Sequence, residues 1–331
     1  MTKENFVKVK TLLKTGIALL TSVIGTAAFA QAYPTKPVRI INNYTPGGTT
    51  DFVARAMAQK LTDALGQQFQ VENRPSANGV VGSQEAARAK PDGYTLLFST
   101  SGHTSIPMAL LGSKLPFNPP KDFAPITLLV VSNQSIVVHP SLGVKNIPEL
   151  VKLVKANPGK YAYGSVGPGS PNHLGVELLK YMTGMDMVHV PYKGGSQAVI
   201  DLVAGRTVLM LNSNASLMPH IKAGKIIPIA VGGKTRSSAL PDVLPVSEQG
   251  YPDYDVTTWY GMFGPAGLPK DIVGKLNVAL NAALKQPDII KSFDAQGVEP
   301  LGGTPEDLSK KMIGEYERWK KVVEFAHIEA E

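Results

Sequence analysis

Three glycine-bearing turns hold the residues best able to do chemistry. The first, Thr45-Pro46-Gly47-Gly48-Thr49-Thr50-Asp51, follows an apolar run and opens a helical pattern. Glycine lets backbone N–H groups come close to a bound group, and a helix start presents unpaired donors with a partial positive charge. Such a start holds an anion without a cationic side chain. Thr49, Thr50 and Asp51 are also good capping types, so an ordinary capped turn uses the same residues, and spacing alone does not separate the two. The second turn, Tyr163-Gly164-Ser165-Val166-Gly167-Pro168-Gly169-Ser170-Pro171-Asn172-His173, repeats the logic. The third is Val190-Pro191-Tyr192-Lys193-Gly194-Gly195-Ser196, where Tyr192 and Lys193 either wall a cleft or end an exposed loop.

Other chemistries fit poorly. Gly167 to Asn172 begins like a dinucleotide fingerprint but lacks its last glycine, and Val190 and Pro191 stand where a ribose-binding acid belongs. Gly233-Lys234-Thr235 resembles the end of a phosphate loop whose first glycine falls on Pro228. There is no G-x-S-x-G elbow, and His103, His139, His173, His189, His220 and His327 form no metal pattern such as H-E-x-x-H. His220, near a helix end, reads as a structural cap. His103 and His173 lie in candidate cleft loops. We therefore expect a binding protein and not an enzyme, with no catalytic residue, metal or cofactor. The alternatives are a secreted hydrolase using Ser165 or Ser101 with His173 or His103, and an adhesive or structural periplasmic protein.

The elements that must position these turns alternate. Strand-like runs at 38–41, 69–72 and 94–98 are separated by helical periodicity at 49–65 and 80–89. Ile126 to Val138 is long and β-branched, interrupted at Ser132-Asn133-Gln134, and reads as a segment leaving one domain for another. Helices at 147–156, 172–183, 196–204 and 215–223 then alternate with strands at 161–165, 187–190, 208–211 and 227–231. A return strand at 257–264 and helices at 270–285, 287–296 and 305–326 complete the chain. Such alternation favours parallel strands linked by helices. The expectation is an α/β fold of two lobes, 31–132 with 257–331 and 133–256, hinged by crossovers near 130–136 and 252–260 around a cleft.

The first thirty residues stand apart. Lys3, Lys8, Lys10 and Lys14 precede an uncharged apolar run, Gly16 to Ala28, and Ala28-Phe29-Ala30 ends it. This is the pattern of a secretory leader cleaved after Ala30. The run is shorter than the roughly 20 residues that span a bilayer. With zero cysteines, an exported chain is more at home in a bacterial periplasm than in an animal secretion. The leader carries four of the lysines and one glutamate, so part of the formal +7 charge leaves with it. No basic cluster is interleaved with aromatics, and nucleic acid is not an expected partner. A mild positive bias suits small anions.

Together these motifs resemble the extracytoplasmic receptors of tripartite tricarboxylate transport systems, the Bug receptors. The likeness covers essentially the whole mature chain. It runs through Tyr33-Pro34-Thr35-Lys36-Pro37, Pro46-Gly47-Gly48-x-x-Asp51, Val71-Glu72-Asn73-Arg74-Pro75 and Pro91-Asp92-Gly93-Tyr94-Thr95-Leu96-Leu97. It continues with His189-Val190-Pro191-Tyr192-Lys193-Gly194, Pro219-His220-Ile221-Lys222-Ala223-Gly224-Lys225, Ala239-Leu240-Pro241-Asp242-Val243, Trp259-Tyr260-Gly261-Met262 and Gly264-Pro265-Ala266-Gly267. The resemblance implies a two-lobed periplasmic solute-binding fold, type II-like, that closes on a small organic acid, a di-, tri- or aromatic carboxylate. It implies a monomer that hands its ligand to the membrane components of a tripartite tricarboxylate-type transporter, the alternative being a ligand-sensing periplasmic receptor without a transport role. It implies a site built from Thr45, Gly47, Gly48, Thr49, Thr50 and Asp51, from Thr100, Ser101 and His103, and from Ser165, Gly167, Ser170, His173, Tyr192 and Lys193. Many relatives carry Asp where this chain has Asn212, and a Pro and a Phe where it has Asn42-Asn43-Tyr44. A neutral Asn212 cannot balance a ligand ammonium, so the expected ligand carries carboxylate or amide groups and no amino group.

Overall fold

The computed structural model describes residues 33–192 and 194–328. The expected leader, 1–30, and Lys193 lie outside the described residues. Apolar β-branched runs form the strands: β1 Val38–Asn42, β2 Phe69–Asn73, β3 Thr95–Thr100, β4 Phe123–Val138, β5 Ala162–Ser165, β6 Val188–Pro191, β7 Leu209–Ser213, β8 Ile227–Val231, β9 Thr257–Pro265 and β10 Val298–Pro300. The helices are α1 Thr49–Leu65, α2 Val80–Ala87, α3 Ser105–Leu111, α4 Pro119–Asp122, α5 Ile147–Lys155, α6 Pro171–Thr183, α7 Gly195–Val203, α8 Asn214–Lys222, α9 Lys270–Leu284, α10 Pro287–Ala295 and α11 Pro305–Phe325. In α1, Val53, Ala54, Met57, Ala58 and Leu61 recur at helical spacing and are buried, and Gly66 ends the helix at a φ of 72°.

The strands form one mixed sheet in the order β2-β1-β3-β9-β4-β7-β5-β6, with β8 and β10 also on β4. Parallel pairing, the sequence expectation, holds in two wings: β1 with β2 and β3, and β5 with β6 and β7. Between them β9 and β4 run antiparallel to their neighbours. The chain passes from one wing to the other along β4 and returns along β9, and no crossover helix reverses either strand. Ser132-Asn133-Gln134 does not interrupt β4. Through Asn133 the strand pairs with β9, and from Gln134 onward it pairs with β7. The amide of Asn133 donates to Glu299 at 2.8 Å and that of Gln134 to Thr258 at 3.0 Å, so these polar side chains are held within the sheet region.

Hydrophobic burial gathers into separate clusters. Ile41, Leu97, Phe123, Trp259, Phe263, Leu308 and Met312 pack beside the first wing. Tyr163, Leu174, Leu179, Leu211, Val256, Trp319 and Val322 pack on one face of the second, and Val137, Ala198, Leu202, Met210 and Leu217 on the other. Two helices tie these cores together. Helix α11 sends Leu308 and Met312 into the first and Trp319 and Val322 into the second. Helix α3, although it follows β3, places Ile106 in the second core. Lys36–Glu331 accordingly forms a single contact unit. Helices α3 and α4 and strand β10 lie outside the sequence expectation. They have seven, four and three residues and each contains proline, too short for a hydrophobic period to show.

Candidate ligand-binding site

The first turn links β1 to α1. Thr45, Pro46, Gly47 and Gly48 are exposed, and Thr49 and Thr50 are half-buried. Gly48 caps α1 with no side-chain hydrogen bond, and the first helical bond runs from the Phe52 amide to the Gly48 carbonyl. The amides ahead of Phe52 in the first turn therefore have no helical acceptor. Asp51 is buried and turned inward. It accepts from the Gly47 amide at 3.1 Å, from Arg55 at 2.9 Å and from Asn73 at 2.8 Å. Burial alone would push its carboxyl up, but these donors outweigh it and hold the group at about 2. In this structure Asp51 is a brace for the glycine turn.

The loop after β3 lies beside it. Thr100 is buried, and its hydroxyl meets the Tyr44 hydroxyl at 2.5 Å. The Tyr44 ring stacks on His103 with centroids 4.1 Å apart and planes at 12°. Gly79 closes on the same imidazole so tightly that a Cβ there would stand 2.6 Å from the ring. Burial lowers His103 to about 4, so the ring is neutral at pH 7. Ser101 Oγ, Ser105 Oγ and His103 Nδ1 are buried without a hydrogen-bond partner among the described residues. Below these loops, the Tyr260 hydroxyl on β9 faces Thr50 and Ser132, and burial pushes it up to about 12. Sequence reasoning missed Ser105, Ser132 and Tyr260. No local pattern marks the latter two, because β4 and β9 are buried along almost their whole length.

In the second wing the predicted side chains are largely engaged with one another. Ser165 is buried. Its hydroxyl lies 2.6 Å from His189 Nε2 and accepts from the Gly167 amide at 3.0 Å. Ser170 caps α6, accepting from the His173 amide at 3.3 Å and donating to the Gly167 carbonyl at 2.7 Å. His173 Nδ1 accepts from the Gly169 amide at 3.0 Å, and its ring stacks on His189 at 3.9 Å. Burial first, then the neighbouring His189 and Lys180, lower His173 to about 3. Glu177, four residues further along α6, accepts from Tyr163 and from Lys180. Ser165, Ser170 and His173 thus brace the loop from within, each holding one of its backbone groups. The serine–histidine pair in this region is Ser165 with His189, not the pairing with His173 that a hydrolase reading would use. Tyr192 turns its hydroxyl to Asp201 at 2.9 Å.

The third turn contributes a cavity of about 510 Å³ between the starts of α7 and α8, lined by Val166, Gly195, Ser196, Val199, Ile200, Asn212, Ser213, Ser216 and His220. It contains the predicted Asn212. His220, read from sequence as a cap, lines it as well. Such a constellation of glycine turns, helix starts and neutral hydrogen-bonding groups on an α/β sheet defines a solute-binding protein.

The chain belongs to the tripartite tricarboxylate transporter receptor family, whose TctC profile matches residues 53–328. It is 33% identical to Protein BugT of Bordetella pertussis over 311 residues, covering 93% of this chain and 94% of that one. Among solved structures it is similar to Rpa4515 of R. palustris with adipate, at 32% identity and a TM-score of 0.72, over 90% of this chain and 99% of that one. It is similar also to the periplasmic binding protein BugD, at 32% identity and a TM-score of 0.70, over 90% of this chain and all (100%) of that one. The protein is a solute receptor of this transport family.

Proposed function

We propose that the protein captures a small organic acid between two lobes divided as the sequence suggests, with β4 and β9 as the hinge. One carboxylate sits at the start of α1. The observation that carries this reading is the uncapped first turn of α1, exposed at Gly47 and Gly48 and braced by Asp51. Charge-assisted hydrogen bonds from backbone amides suit a carboxylate that must leave water. The buried, unpartnered Ser101 and Ser105 hydroxyls supply further donors close by. The other lobe contributes Lys193 and the glycine turn around Gly167 to the grip. Rpa4515, of known structure with the dicarboxylate adipate, supports an acid ligand here.

After its leader is removed at Ala30, the protein works in the periplasm as a monomer and delivers ligand to the membrane components of a tripartite transporter. Closure on ligand is the state those components read. A thermal-shift screen against organic acids, amino acids and sugars tests the reading. A ligand at about 100 times its Kd stabilises by roughly 2.7 kcal/mol. Shifts confined to sugars or amines refute it.

A further inference from the structure

The two strands that pass between the wings carry a row of neutral polar side chains. Ser132 of β4 stands opposite Thr258 of β9, and Val130 opposite Tyr260. Side chains two residues apart share a face of a strand, so Ser132, Gln134, Thr258 and Tyr260 point the same way. Asn133 and Trp259 point to the other face, where they meet Glu299 and Glu315. The row begins at α1, where the Tyr260 hydroxyl faces Thr50 and Ser132. It ends beside α8, where Gln134 pairs with Ser213, the residue that precedes that helix. The row therefore runs from the α1 turn to the second wing.

Gln134 is the member of the row whose hydrogen bonding is incomplete. It is 4% exposed. Its Nε2 donates to the Thr258 hydroxyl at 3.0 Å, and its Oε1 is buried without a hydrogen-bond partner among the described residues. A hydroxyl both gives and takes a hydrogen bond, so Thr258 holds the amide equally well with its two ends exchanged. In either orientation one end is left over: an acceptor in this structure, a donor when the amide is turned. A buried polar end that stays unpaired is costly, and a bound molecule that pairs it recovers that cost.

We infer that Gln134 reads a hydroxyl on the carbon chain of the ligand, and that the protein prefers a hydroxy acid to the same acid without its hydroxyl. A hydroxyl completes the amide in both orientations. A methylene completes it in neither. A carboxylate, which only accepts, and an ammonium, which only donates, each complete it in one. The four side chains of the row are all neutral, so none of them offers a counter-charge to either ion. The inference rests on the proposed capture of a carboxylate at α1 and extends that reading to the middle of the ligand.

The test is calorimetry on the purified exported protein with matched pairs of acids: malate and succinate, lactate and propionate, 3-hydroxybutyrate and butyrate. In a pair that binds, the hydroxy acid binds at least about tenfold more tightly than its partner, the scale of one buried polar group left unpaired. Gln134→Met keeps the length of the side chain and removes both ends of the amide. It brings the ratio to about one by weakening the hydroxy acid. Thr258→Val is the second variant. It alters a half-buried position, leaves Gln134 in place and removes the hydroxyl that holds the amide, so it also lowers the ratio. A deoxy acid that binds as tightly as its hydroxy acid in every pair, or a preference unchanged in both variants, overturns the inference and leaves the α1 reading intact. No acid binding at all overturns the α1 reading and this one with it.

Discussion

The carboxylate of Asp51 is spent inside its own loop, on Gly47, Arg55 and Asn73. Because its folded value, about 2, lies below the ordinary carboxylate range, its stabilisation is fully present above about pH 4 and is lost as pH falls toward 2. Asp51→Asn removes the charge from these bonds. It should cost about 1–3 kcal/mol in urea unfolding at pH 7 and flatten the acid limb of the stability curve. It should also weaken acid binding, since the turn it braces is the proposed grip. Sequence placed the turn correctly but left open whether it was a cap or a cradle. The answer depends on where Asp51 points, and that is set by Asn73 on β2, which no local spacing reveals. Ser165 is a parallel case. Its partner His189 comes from β6, a strand away, and only the fold brings the two within 2.6 Å.

Helix α11 joins the two cores and is pinned at mid-length. Glu315 is buried, accepts from Trp259 on β9 at 2.7 Å and lies near Lys311 and Arg318 of its own helix. Asp255, in the segment leading to β9, meets Lys311 at 3.0 Å and Arg318 at 3.9 Å. Burial pushes Glu315 up to about 7 against these cations. The folded state thus holds a proton that the unfolded chain has released. Stability falls as pH rises from about 4.5 to about 7 and is level beyond. Glu315→Gln keeps the acceptor for Trp259 and should abolish that slope in denaturation curves at pH 5 to 8. Helix α9 offers a contrast, because a Cβ at Gly274 would meet nothing within 4 Å. Gly274→Ala should stabilise by about 0.5–1 kcal/mol through backbone entropy, raising the melting temperature. Long elements such as α1 and α11 were legible from their apolar period. Short α3 was not, and neither was its packing into the second core, which is a tertiary fact.

At the scale of the molecule, the chain passes between wings beside Gly232. Its amide donates to the Gln134 carbonyl at 2.7 Å, and its carbonyl accepts from the Val256 amide at 2.7 Å. A Cβ there would stand 2.6 Å from the Val256 oxygen, a backbone atom with nowhere to go. Gly232→Ala should destabilise by about 1–3 kcal/mol in urea titration, and by displacing a crossing segment it should also weaken ligand binding. The alternation of strand and helix announced an α/β fold, and the long β-branched run announced a crossover. The antiparallel insertion of β4 and β9 between parallel wings was not legible, because pairing partners are chosen across the whole chain. The central claim is that the glycine turn at the start of α1 grips the carboxylate of an organic acid. It is tested most directly by titrating the exported protein calorimetrically with C4–C6 dicarboxylates alongside neutral sugars and amines. The account predicts saturable one-to-one binding of a dicarboxylate and none of sugars or amines. Binding of a sugar or an amine, with every acid inert, would contradict it.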